Sequence, residues 1–87
     1  MTDTKKRDEL IYKEFELDAK TMPVGMKVVN LGRSTNDGKP LTSHLTVEFE
    51  SKDEKAATKL SASKYFVGSE RDDGDKYIWR VSFIRNY

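Results

Sequence analysis

Tyr77-Ile78-Trp79-Arg80-Val81-Ser82-Phe83-Ile84-Arg85-Asn86-Tyr87 decides how this chain folds. Tyr77, Trp79, Val81 and Phe83 are aromatic or β-branched, while Arg80 and Ser82 alternate with them, so one face is apolar and the other is wet. A period of two predicts a strand over residues 76 to 86 that turns Trp79, Val81 and Phe83 into a core. Arg80 is left on the exposed side, with Arg85 and Tyr87 at the rim.

The same period recurs upstream. From Leu41 to Glu50, Leu45, Val47 and Phe49 fall on one face and His44, Thr46, Glu48 and Glu50 on the other. Before it lies a β-rich run over residues 24 to 33 containing Val28 and Leu31, and between the two stands Asn36-Asp37-Gly38, residue types that tolerate positive φ. These runs form an antiparallel hairpin whose connection from Arg33 to Pro40 is expected to be a mobile loop, with a bulge at Gly32.

The other segments are read by composition. Residues 11 to 19 are read as a further strand from their aromatic and β-branched content, the alternative being a helix from Lys5 to Glu16. Residues 1 to 9 are expected to be a flexible tail. Thr21 to Gly25 reads as a turn because Pro23 cannot continue a ladder. Ser51 and Glu54 have capping-box spacing, so a helix is predicted over residues 52 to 65, ended near Gly68, with Glu70 to Asp75 a charged loop.

The whole is an α+β fold: one small domain, residues 1 to 87, with a mainly antiparallel sheet of about four strands and one helix packed on one face. The predicted core is Phe15, Leu17, Val28, Leu31, Leu45, Val47, Phe49, Leu60, Phe66, Trp79, Val81 and Phe83. With 36% hydrophobic and 36% charged residues, that core is small and the surface carries both signs densely. A net charge of +1 and separate acidic and basic stretches describe a dipolar molecule rather than a uniformly basic one.

Catalysis finds little footing. There is one His and no Cys, and no nucleophile elbow or phosphate-cradling glycine loop occurs. His44 reads as an outward strand residue, and Glu48 and Glu50 as an ordinary exposed pair. The acidic stretch from Glu70 to Asp75 lacks calcium-loop spacing, because the twelfth residue from Asp72 is Phe83. Neither a metal nor a cofactor is expected. The absence of Cys fits a reducing compartment, and no apolar run reads as a leader or membrane span, so a cytoplasmic, membrane-free protein is expected.

A non-enzymatic binding protein remains, one that docks on a macromolecular partner and modulates it. The partner is expected to be a protein or a protein-RNA complex, and Tyr, Trp and Arg on a terminal strand at a sheet edge supply the contact chemistry. Inhibitors, antitoxins and phage accessory proteins share this format, which by itself names no family. The alternative is direct binding of RNA or single-stranded DNA through the helix stripe Lys52, Lys55 and Lys59, the hairpin residues Arg33 and Lys39, and Arg80. With Arg85 and Tyr87, these are the candidate binding residues.

Overall fold

The computed structural model describes residues 2–18, 22–23, 25–52, 54–72, 74 and 76–87, with side chains from Lys6 onward. Of the residues singled out above, Ala19, Lys20, Thr21, Val24, Asp53, Asp73, Asp75 and the Lys5 side chain lie outside that set. The elements are α1 (Thr2–Glu14), β1 (Lys27–Asn36), β2 (Lys39–Glu50), α2 (Lys55–Leu60), β3 (Phe66–Asp72) and β4 (Ile78–Asn86). All neighbouring strands are antiparallel, in the order β1-β2-β4-β3. The protein is a small α+β domain, as its alternating strands imply.

β2 and β4 are the central pair. Leu45 lies opposite Phe83 and Val47 opposite Val81, so the apolar faces of the two runs coincide. Leu45, Val47, Val81 and Phe83 are all fully buried. The β1–β2 hairpin closes with Asn36 opposite Lys39, leaving Asp37 (φ 54°) and Gly38 (φ 78°) as a two-residue turn. Positive φ at both positions is the type I′ geometry that matches strand twist, so the connection is tight where a mobile loop was expected. The irregularities fall at Val29 and Leu41, beside Val28/Asn30 and Ser34/Thr35 in the register, and Gly32 pairs regularly with His44. Pro40, which has no N–H for a ladder, sits at the second of them.

The described residues 11 to 18 are not a strand. The helical alternative is the observed one, and it begins at Thr2, within the stretch expected to be a tail. Ile11, Tyr12 and Phe15 share one helix face and are buried. Glu16 (φ 58°) stops the helix: its N–H reaches the Lys13 carbonyl at 3.0 Å, and Leu17 N–H reaches Tyr12 O at 2.8 Å. That pair of bonds is a Schellman cap, with Glu in the left-handed position that glycine favours.

The helix predicted over 52 to 65 shrinks to the six residues of α2. Its N-cap is Glu54, and no side chain caps it, so the Ser51 capping box does not form. Hydroxyls end it early. Ser61 Oγ donates to Thr58 O at 2.6 Å, and the next amides, Ala62 and Ser63, bond three residues back to Lys59 O and Leu60 O. This freed Phe66 to Asp72 to become β3, which was expected to be helix terminus and loop. β3 pairs along the outer side of β4, so β4 is an interior strand and not an edge.

Both helices and Leu17 cover one face of the sheet in a single cluster. Phe15, Leu17, Leu45, Val47, Phe49, Leu60, Val81 and Phe83 are buried, joined by Ile11, Tyr12, Ala57 and Ser43. Val28, Leu31, Phe66 and Trp79 are only partly buried at its margin. Trp79 is held there by its indole N–H, which donates to Ser51 O at 3.0 Å.

Two stability outcomes follow. Phe83→Ala is expected to cost about 3 to 5 kcal/mol and Trp79→Ala distinctly less, since only the first empties a closed site; urea melts giving the reverse order would contradict this core. Glu16→Gly is expected to stabilise by about 0.5 to 1 kcal/mol, by relieving a side chain in the left-handed region. The same melts check it.

Candidate functional site

Because both helices lie on one side, the opposite side of the sheet has no cover among the described residues. Its central rows are built of small and polar residues: Thr46 opposite Ser82, and Ser82 opposite Gly68. On one side of that row stand His44 and Ile84, and on the other the cross-strand charges Glu48, Arg80 and Glu70. Small residues between taller rows leave a hollow. Its volume is about 330 Å³ and its walls are His44, Val67, Gly68, Ser69, Glu70, Arg80, Ser82 and Ile84.

Two apolar side chains are exposed here. Val67, the extra residue of a bulge between Phe66 and Gly68, is 55% exposed, and Ile84 is 36% exposed. Arg80 is exposed but engaged: its Nε donates to Glu48 Oε2 at 3.0 Å. The base of the hollow is open, since a Cβ built on Gly68 meets no heavy atom within 4 Å. The arrangement offers an apolar lip, a histidine and a charged rim. Among the described residues no group of three or more His, Cys, Asp or Glu is gathered to hold a metal.

The candidate residues proposed from sequence are dispersed. Arg33, Arg85 and Tyr87 come together, but on the helix side, around Glu14 at the end of α1. Arg33 Nη1 donates to Glu14 Oε2 at 2.7 Å and to Ser43 Oγ at 3.2 Å. The Tyr87 hydroxyl donates to the same carboxylate oxygen, and Arg85 donates to the Glu14 carbonyl. The Arg85 guanidinium lies 5.2 Å from the Tyr65 ring centroid and 4.6 Å from that of Tyr87. This cluster fastens α1 to β1, β2 and β4. It is a structural clasp that engages three candidates, of which Arg33 and Tyr87 stay exposed.

The lysines stay outside. Lys55 and Lys59 lie one turn apart on α2 and are exposed, whereas Lys52 precedes the helix and does not share its stripe. Lys39 is at the hairpin tip. β2 separates it from the α2 end by eleven strand steps, roughly 35 Å, so a nucleic acid touching both Lys39 and Lys52 would have to run the length of β2. The other arginines are also engaged: Arg7 with Asp8 at 3.1 Å, and Arg71 with Glu54 at 3.6 Å and over Trp79 at 5.4 Å. Val67 and Ile84 were not singled out as site residues from the sequence, and Gly68 was read only as a helix terminator. Their signal was present only in Ile84, apolar on the wet face of an alternating strand.

No family model, curated protein or solved structure matches this chain, so function is read from the geometry alone. Among the described residues no helix is long and apolar enough to cross a membrane.

The clasp has a pH signature. The Arg33 hydrogen bond, supported by those from Tyr87 and Ser43, overcomes burial and holds the Glu14 carboxyl at about 2, below its ordinary 4.5. A depressed carboxylate contributes stability that is complete above about pH 4.5 and lost as pH falls through about 2. Thermal melts should therefore show wild type above Glu14→Gln in Tm at neutral pH, with the gap closing as pH approaches about 2. A gap independent of pH would mean that ionised Glu14 is not what fastens α1.

Proposed function

We propose that this protein is a non-enzymatic binding module that docks on a protein partner through its uncovered sheet face and modulates it. The observation carrying this reading is the exposure of Val67 and Ile84 beside an open hollow of about 330 Å³. Exposed aliphatic side chains next to a concavity and a charged rim are the elements of a small docking surface. The second support is that Arg33, Arg80 and Arg85 already bond Glu14, Glu48 and the Glu14 carbonyl, so a phosphate would have to compete with those partners. We place the protein in the cytoplasm, where a chain without cysteine loses nothing to reduction.

Purification from the native cell without nuclease, with identification of co-purifying proteins and an A260/A280 ratio, tests the reading. Gly68→Leu places a side chain in the hollow, where its Cβ meets no heavy atom within 4 Å, and Ile84→Asp charges its lip. Both are expected to keep the far-UV CD spectrum and to lose the partner protein, while Lys55→Glu/Lys59→Glu retains it. A nucleic-acid absorbance ratio abolished by the double lysine variant, with Gly68→Leu unaffected, would overturn the reading in favour of RNA or single-stranded DNA.

A further inference from the structure

We propose that the uncovered sheet face docks on a second copy of this chain, the two sheets stacking about a two-fold axis parallel to the strands. This rests on the protein-docking reading above and names one occupant for that face. The strand register carries it, because it sets the face out in rows that are complementary to themselves read in reverse.

The first row runs Lys27, Glu48, Arg80, Glu70 from β1 to β3, so its charges alternate in sign from one edge of the sheet to the other. A two-fold parallel to the strands keeps each row at its level and reverses the strand order. Lys27 then faces Glu70 of the second copy and Glu48 faces Arg80 of the second copy, each contact occurring twice. Lys27, Arg80 and Glu70 are exposed, and neither Lys27 nor Glu70 makes an ion pair among the described residues. Arg80 holds its own Glu48 through Nε, which leaves the two terminal guanidinium nitrogens for a second carboxylate.

The next row runs Asn30, Thr46, Ser82, Gly68. Reversed, it sets exposed Asn30 over Gly68 of the second copy, where a Cβ meets no heavy atom within 4 Å. Thr46 comes over Ser82, two short hydroxyl side chains that allow close approach. The third row runs Gly32, His44, Ile84, with Val67 on the bulge beside it. Val67, 55% exposed, comes toward Gly32 of the second copy, where a Cβ likewise meets nothing within 4 Å, and Ile84 comes against the His44 imidazole. Longer side chains thus meet glycines, and no like charges meet in these rows.

A two-fold across the strands fails. Passed through the charged row, it stacks Lys27 on Lys27 and Glu48 on Glu48; passed through the next row, it lays four charges on a level that offers none of opposite sign. The end row, Glu50, Ile78 and Asp72, forms no pairs and lies at the rim. Twisted sheets stack with strands about 30° apart, which displaces positions on β1 and β3 by about 4 Å, within reach of Lys27 and Glu70 side chains. The face measures about 19 Å across the strands and roughly 27 Å along them, so about 1,000 Å² in total would be buried, the lower end for a specific interface.

The test is sedimentation equilibrium of the full chain from micromolar to millimolar concentration at low salt. Wild type is expected to dimerise in the upper part of that range, and less at high salt. Lys27→Glu and Glu70→Lys, each keeping the far-UV CD spectrum, are each expected to weaken the dimer by about tenfold or more, since a two-fold meets every substitution twice. An equimolar mixture of these two variants is expected to recover the wild-type affinity, and so is Lys27→Glu/Glu70→Lys on one chain. Recovery needs position 27 to face position 70 across the interface. Lys59→Glu, the same charge change on α2, is expected to dimerise as wild type does. A monomer throughout the range, a dimer that Lys27→Glu leaves intact, a mixture no tighter than its components, or an equal loss in Lys59→Glu would overturn the proposal. If wild type stays monomeric while Gly68→Leu still abolishes a co-purifying protein, this inference falls and the docking reading stands. If the charge exchange recovers the dimer but nucleic acid alone co-purifies, docking on another protein falls and the self-pairing stands.

Discussion

Burial of Phe15 is the contact on which the arrangement of this molecule depends. Its ring is fully buried, 6.2 Å from Phe83 and 6.1 Å from Tyr65 in an edge-to-face approach. Its carbonyl accepts from Ser63 Oγ at 2.9 Å. One residue at the end of α1 thus touches β4, the segment after α2, and the aromatic that carries the chain into β3. Edge-to-face rings and a satisfied backbone group fix both distance and orientation, which apolar burial alone does not. With α1 and α2 gathered on this side, the other sheet face is left to solvent.

The charges are organised around the same clasp. In a chain with 16 basic and 15 acidic side chains, the arginines are used to tie elements together and several lysines are left outside. Arg33 and Arg85 meet at Glu14, and Arg80 bridges β4 to β2 through Glu48. A guanidinium offers several donors in a fixed plane and can satisfy a carboxylate, a carbonyl and an aromatic face together, whereas an ammonium stays well hydrated. This division shapes the reading of function: the guanidiniums already have carboxylate, carbonyl or ring partners, and the surface offers apolar lips with dispersed lysines beside them.

Where the sequence misled, the cause was dependence on distant parts of the chain. Ile11 and Phe15 are four apart, a spacing compatible with a helix face and with alternation; the outcome was set by the sheet's need for cover on one side. β3 gave no alternating signal because it is an edge strand, with Phe66, Ser69 and Arg71 toward the helix side and Gly68, Glu70 and Asp72 away. Ser61 and Ser63 shortened α2 by offering the backbone other partners, a competition that propensity alone underrates. Among the candidate binding residues, Arg33, Arg85 and Tyr87 were legible as unusual but not as partners of Glu14. They lie 19, 71 and 73 residues from it along the chain.

The sequence alone determined the α+β class, the two alternating strands that became β2 and β4, the turn at Asp37 and Gly38, and most of the buried apolar set. Those are local properties: a period of two, positive φ and side-chain hydrophobicity are written within a few neighbouring residues. The tertiary structure alone decided that β4 is interior, that β1 and β3 are the edges, and which cations remain exposed. Strand order and ion pairing close over distances along the chain that no local pattern encodes. The hollow at Gly68 and a groove beside β1 are products of that closure.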